Sequence, residues 1–339
     1  MKAKGFFVEL NDFSLLVART SSATAPFTLE EVIECPLSSP QEDIELAVQA
    51  IGNLQSGQFV QAVCGVSPPD RMLRRATLEN PAKARDPSFL PNYLTNQFKV
   101  DLASTAVQVL NANGGSSFEP GRQLTKEIVF CGAPRDSLID QQDRLVELYV
   151  FPNRLELTSV ATVGGVANHM ATRGDPMPTL VLEIGPTSSL VLIVNGDQLD
   201  VARPIPYGFN SMYPIVRQEL GLKDEESAKK LFTSATFDFT EMGNMLLKKL
   251  LKELQASTGF YEVQTGQTIG HLHVSALPDN FRWISASLSR SLGVEIFEPH
   301  YGEWLDKQGI SIGPEVDVDK LKNGWFGLFC LMGRYERQS

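Results

Sequence analysis

Apolar residues in this chain gather in runs of strand length, and the densest set lies within residues 179–208, TLVLEIGPTSSLVLIVNGDQLDVARPIPYG. Leu180, Val181, Leu182 and Ile184 form one run and residues 190–194 a second, and Asn195-Gly196-Asp197 has the composition of a tight hairpin turn. The pattern predicts strand, turn, strand, turn, strand. Between the first two runs an acid, Glu183, leads into Gly185-Pro186-Thr187-Ser188-Ser189, a small and hydroxyl-rich turn. Residues 5–9 and 14–20 repeat the motif as a hairpin across Asn11-Asp12, with Glu9 near the end of its first strand. In both places an acid closes a strand, a small turn follows and a second apolar strand leaves. Two such hairpins, one per half, are what a duplicated, two-lobed cleft protein carries.

Helical spacing predicts a helix within 41–54, with Ser39-Pro40 as cap and first turn. A buried strand is expected at 59–66, after which Pro68 and Pro69 break the order. Residues 68–127 are rich in polar and turn-forming residues and read as a separate, looser module, with a flexible loop at 111–121. A strand at 127–131 and helices at 137–150 and 159–172 follow, and TRGDPMP (172–178) has linker composition, which sets a domain boundary there. Beyond the central strands, helices are expected at 213–220, ended by Gly221, and from 224 to 232. The clearest helix spans 241–261, where Leu246, Leu247, Leu250, Leu251 and Leu254 share one face. A short strand at 271–274, a helix at 281–292, a strand at 294–297 and a final packed helix over 325–335 complete the pattern.

The chain has 339 residues, 42% of them hydrophobic, enough for two domains with full cores. Its net charge of −10, with no basic stripe, argues against nucleic acid as a partner. The longest apolar runs are strand-sized and none spans a bilayer. Glu9 and Asp12 interrupt the start too early for a signal-peptide core, and Cys35, Cys64, Cys131 and Cys330 are scattered without a CxxC pair. A cytoplasmic protein with buried thiols is the expectation. His271 and His273 alternate on one strand, but no further ligand stands at a telling distance, so no metal site is assigned. Asp317 and Asp319 lack the glycine and distal glutamate of a calcium loop and read as a solvated turn. His169 has no nucleophile near it in the sequence, Trp283, Trp304 and Trp325 read as core or interface residues, and no GxSxG, Walker-type or dinucleotide motif occurs.

Several stretches in order resemble the type IV pilus assembly proteins of the PilM family and, more widely, the actin-like ATPases that include FtsA. After IPYG (205–208), ELGLKDEESAKKLF (219–232) resembles the family's "LGL…EEAE.LK" helix, and KELQASTGFYE (252–262) its "EI.RSLDFY" segment. RSLGVEIFEP (290–299) resembles "LGV.V..ANP", FGLFCLMGRY (326–335) sits where the family has "A.GLALR", and VFCGAPRDSLIDQQDRLVE (129–147) resembles its strand-and-helix "VA.P…V…..LL". The resemblance implies an α/β, two-lobed actin-like (ribonuclease H-like, duplicated) fold with inserted subdomains. The first lobe would span 1–175 with an insertion at about 68–127. The second would span 176–320 with a helical subdomain at about 209–268, and residues 321–339 would pack back on the first. Nucleotide would sit between the lobes, with the two hairpin carboxylates placing magnesium and glycine-rich turns approaching phosphate and adenosine.

Against that pattern this chain departs at each element. Glu9 stands where the family has Asp, Asn11 where it has Gly, Asp12 where it has a small residue, and Leu16 where it has Lys. An added carboxylate repels phosphate at close range. Glu183 replaces the second Asp; Gly185 is kept, Pro186 offers no N–H, and Thr187, Ser188 and Ser189 remain as donors. The "SGGG" turn is matched by Ser275-Ala276-Leu277-Pro278, and in the "AE.LK" helix Ala228 is kept while Lys229 and Phe232 replace Glu and Lys. The expectation is a non-enzymatic pseudo-ATPase scaffold with no cofactor. It would act in a pilus or type II secretion-like machine, peripheral to the inner membrane through a partner. By resemblance that partner is the cytoplasmic tail of a membrane-anchored PilN-like protein, bound near the 68–127 insertion, where Tyr93, Leu94 and Phe98 form an apolar face or part of the core. Homo-oligomerisation is left open. The rival is a switch of the same fold that binds ATP and Mg through Glu9, Asn11, Glu183, Gly185, Thr187, Ser188 and Ser189. An actin-fold sugar or acyl kinase ranks last, because the sequence offers neither a catalytic base nor intact phosphate loops.

Overall fold

A computed structural model describes residues 4–333 apart from 56, 120–125, 235 and 319–320. Asp319, part of the 111–121 loop and the last two residues of the expected 325–335 helix lie outside the described residues. The first sheet opens with an antiparallel meander of β1 (Gly5–Leu10), β2 (Ser14–Thr20) and β3 (Phe27–Pro36). Helix α1 (Gln41–Gly52) crosses to β4 (Val60–Val66), which lies parallel to β1. Ile44, Val48 and Ile51 bury one face of α1, and Asn53 closes it in the left-handed conformation with φ 49°.

The chain then leaves this sheet. Strand β5 (Met72–Thr77), helix α2 (Phe89–Phe98), β6 (Thr105–Asn111) and β7 (Glu127–Pro134) build a small antiparallel sheet in the order β5-β7-β6. The looser module expected here is an ordered unit with its own core. Leu78, Leu90, Leu94 and Phe130 are buried in it, and Tyr93 and Phe98 lie 6.0 and 5.9 Å, ring to ring, from Phe130. Its outer strands β5 and β6 are only half-buried, so MLRRAT and TAVQVLN carry polar residues that hide their strand character.

Helix α3 (Arg135–Glu147) returns the chain to β8 (Val150–Leu157), parallel to β4, and α4 (Thr158–Arg173) leads to the second half. There the plan repeats. A meander of β9 (Thr179–Ile184), β10 (Ser189–Asn195) and β11 (Gln198–Ile205) is followed by α5 (Tyr213–Glu219), α6 (Glu225–Thr233), α7 (Gly243–Leu246) and α8 (Lys248–Thr265). Strand β12 (His271–Val274) then lies parallel to β9, and α9 (Arg282–Leu292) connects it to β13 (Glu295–Ile296), parallel to β12. Among the described residues the larger sheets read β14-β3-β2-β1-β4-β8 and β11-β10-β9-β12-β13, so five strands in each share one order and one set of directions. Helix α10 (Tyr301–Lys307) precedes β14 (Ile310–Ile312), which pairs in parallel with β3 of the first sheet. The final helix α11 (Phe326–Met332) is buried at every residue and packs on α4, β1 and β4.

The helix expected at 241–261 is broken. A 3-10 turn (Thr240–Met242) and the one-turn α7 precede α8, and two tertiary contacts sit at this segment. Gly243 approaches α9 so closely that a Cβ there would lie 2.4 Å from Ser287 Oγ, and the Tyr207 hydroxyl donates to the Leu246 carbonyl at the break. No helix among the described residues is long and apolar enough to cross a membrane.

Where α11 meets the second half, His273 on β12 is 1% exposed, and neither ring nitrogen has a hydrogen-bond partner among the described residues. Its ring lies 4.9 Å from Phe326 and 5.2 Å from Phe297. Burial, helped by His169, pushes its pKa from 6.5 down to about 3. The unfolded chain therefore takes up a proton that the folded chain refuses, and stability drains away as pH falls from about 6.5 towards about 3. His273→Leu should flatten that limb in urea melts and raise stability at neutral pH by about 1–3 kcal/mol, the cost of an unsatisfied buried polar group.

Candidate functional site

The two meanders place their carboxylates in equivalent positions. Glu9 is the fifth residue of β1 and Glu183 the fifth of β9, and each faces the crevice between the halves. The crevice holds about 360 Å³. Glu9, Asn11, Asp12 and Phe13 from the first hairpin line it, with residues 183–188 of the second. Of the residues singled out from the sequence, Glu9, Asn11, Glu183, Gly185, Thr187 and Ser188 are thus brought together. Ser189 is not: it is 2% exposed, and its hydroxyl donates to the Tyr207 carbonyl at 2.6 Å inside the second half. As the first residue of β10 it alternates away from the turn.

The residue that organises the crevice is Arg71, from the loop before β5. Its Nη2 and Nε donate to Glu183 Oε2 at 2.7 and 3.0 Å, and Nε also reaches Ser159 Oγ at 2.9 Å. Its Nη1 donates to the Pro68 carbonyl at 3.0 Å, and Ser159 Oγ donates to the same Glu183 oxygen at 2.5 Å. The two charged side chains are 9% and 7% exposed. Sequence reasoning missed Arg71 and Ser159. A lone arginine after Pro68-Pro69-Asp70, 112 residues from its partner, carries no periodic or motif signal.

Glu9 has no such cation. It is 1% exposed, its Oε2 lacks a hydrogen-bond partner among the described residues, and the Leu328 N–H is bonded to its carboxyl. Burial first, and the Glu183 charge second, push its pKa up to about 8. Gly327 explains how α11 fits here, since a Cβ at that position would lie 2.6 Å from both Glu9 carboxyl oxygens.

The turns that would approach phosphate are satisfied from within. Asn11 Oδ1 accepts from the Phe13 and Ser14 amides at 2.9 and 2.8 Å, and Gly185 N–H donates to Ser188 O at 2.9 Å. Pro186 offers no donor. Behind the second turn Gly208 packs so tightly that a Cβ would lie 2.3 Å from Gly185 O. In Ser275-Ala276-Leu277-Pro278, Ala276 keeps a left-handed backbone with φ 53°, a glycine conformation that costs an alanine about 1 kcal/mol. Leu277 packs against the second-half core. Phe232, in place of a lysine, lies 5.2 Å ring to ring from Phe281 and is 1% exposed. Leu16 is likewise buried, at 2%. Glu183 already holds a guanidinium, and Asn11 Oδ1 and the Gly185 N–H are engaged within their own turns, whereas the Thr158 and Ser275 hydroxyls that line the crevice have no hydrogen-bond partner among the described residues. Among the described residues no group of three or more His, Cys, Asp or Glu converges as a metal site would.

Two outcomes follow for stability. Arg71→Ala leaves Glu183 buried without its cation and should cost about 3–5 kcal/mol in urea unfolding. Glu9 acts with the opposite sign to an ordinary ion-paired acid. The unfolded carboxyl ionises from about 4.5 and the folded one only near 8, so stability is fully present below about 4.5 and is lost as pH rises to about 8. The loss is at most about 1.4 kcal/mol per pH unit. Glu9→Gln should flatten that window and raise the urea midpoint at pH 7.

No family model matches the chain, and no curated protein does. Solved structures do. The chain is similar to a PilM-PilN type IV pilus biogenesis complex at 15% identity, with 98% of each chain covered and a TM-score of 0.66. It is also similar to the ethanolamine utilization protein EutJ from Carboxydothermus hydrogenoformans (9% identity, 98% of this chain and 91% of that one, TM-score 0.45). A Bacteroides thetaiotaomicron protein with an actin-like ATPase fold and unknown function is similar at 8% identity, 94% of each chain and a TM-score of 0.42. The duplicated strand order and the likeness over almost the whole chain give this protein a PilM-like, actin-like fold.

Proposed function

We propose that this protein is a nucleotide-independent, actin-like adaptor of a type IV pilus or type II secretion-like assembly machine. In this reading it works on the cytoplasmic face of the inner membrane and holds the tail of a membrane-anchored, PilN-like protein. The likeness to the PilM-PilN complex supports the machine assignment. The observation that carries nucleotide independence is Arg71 seated on Glu183, with a buried positive charge already where a metal-bound phosphate would need to act. Hydrolysis also needs an attacking water held by a base. Glu9 is 1% exposed and closed in by Gly327 of α11, which leaves little room for that water. The rival Mg-ATP switch requires Arg71 to leave Glu183.

Calorimetric titration of the full chain with Mg-ATP should give no heat and no rise in melting temperature. Co-expressed with the PilN-like protein of its host, the chain should sediment with membranes. It should move to the soluble fraction when that protein's cytoplasmic tail is deleted. Magnesium-dependent ATP binding would make the switch the better reading, and membrane retention that ignores the tail would remove the adaptor assignment.

A further inference from the structure

We infer that the spacing of the two halves is fixed by the chain itself, through three contacts that act together as a permanent clasp and leave no ligand-driven closure to make. The inference deepens the nucleotide-independent reading above, and its test separates the two.

The first contact is Arg71, which leaves the first half between β4 and β5 and forks onto Glu183 of β9. Both side chains are more than nine-tenths buried, so salt does not screen the pair. The second is Phe13, at the tip of the β1–β2 turn. Its backbone belongs to the first half, with Phe13 O accepting from Leu37 N at 2.8 Å, but its ring packs on the second-half core. It meets Phe209 edge-on at 5.4 Å and Phe281 at 5.2 Å. A water-filled crevice cannot open there without exposing this ring and the two it covers.

The third contact lies at the other end of β10. The loop after β6, expected from its composition to be flexible, is pinned to the β10–β11 turn: Gly114 N–H donates to Asp197 O at 3.0 Å, and Asn113 bridges to Gln198. Gly114 takes φ 74°, a backbone conformation that favours glycine. Strand β10 separates this turn from the crevice-lining turn at 185–188 by about 20 Å, at roughly 3.3 Å per residue. Contacts at both ends of one strand oppose rotation of the second half about either end. A hinge needs one end free, and neither is.

The test is a distance measurement across the halves. The native cysteines are all buried, so spin labels can be placed selectively at Ala50→Cys on α1 and Gln255→Cys on α8, both exposed positions. The labelled protein should give one narrow distance distribution that Mg-ATP does not move, and adding Arg71→Ala with Phe13→Ala should broaden it and lengthen the mean by several ångströms. A double variant as narrow as the parent overturns the clasp. Where that variant does not fold, the labelled parent still decides: a broad distribution, or a shift on adding Mg-ATP, overturns the inference. Heat in the ATP titration with an unmoved distance would instead defeat nucleotide independence and leave the clasp standing.

Discussion

The Arg71–Glu183 pair is the constraint from which the rest of the crevice follows. Duplication leaves two carboxyls at equivalent positions in two equivalent strands, and the buried guanidinium of Arg71 serves one of them. Glu183 holds it, with Ser159 completing the donor set. Glu9, on the other sheet and in the same crevice, meets burial without a counter-charge, which raises its pKa to about 8. Burying two charges is expensive, and the pair is tolerable because the fork, the Ser159 hydroxyl and the Pro68 carbonyl satisfy its polar atoms together. Such a network has little slack. Moving either half pulls Arg71 away from the carboxylate it is bonded to.

Beside this polar knot the crevice is bordered by an aromatic cluster. Phe13, Phe209, Phe281 and Phe232 form a run of rings from the tip of the first hairpin to a helix of the second half. Ala276 occupies a left-handed backbone position suited to glycine. The two meanders therefore share their topology and differ in the chemistry of their turns.

Much of the plan was legible because strands buried on both faces write themselves as unbroken apolar runs, as LVLEI and LVLIV do. The acid-turn-strand echo located both hairpins, and the structure brings Glu9 and Glu183 into one crevice. What stayed hidden has physical reasons. The half-buried strands β5 and β6 mix arginine, glutamine and threonine into their sequences, so alternation is blurred. The break before α8 sits at a contact between Gly243 and Ser287 that no local pattern encodes. Arg71 was invisible for the same reason on a longer scale, because its role is written in a residue on another sheet. Ser189 was misplaced by one step of strand alternation, which turns a crevice donor into an internal one.

Helix α11 has a consequence for how the molecule comes into being. The first meander and α1 are made early, yet the surface of β1 and β4 that α11 covers stays bare until residues 326–332 have been synthesised. Every residue of that helix is apolar apart from one glycine, and Gly327 must slot against Glu9. The first half cannot mature as an independent unit while the ribosome works through the second. Between the synthesis of β4 and that of α11 the chain carries an uncovered apolar face, the kind of surface that favours aggregation in partly made chains.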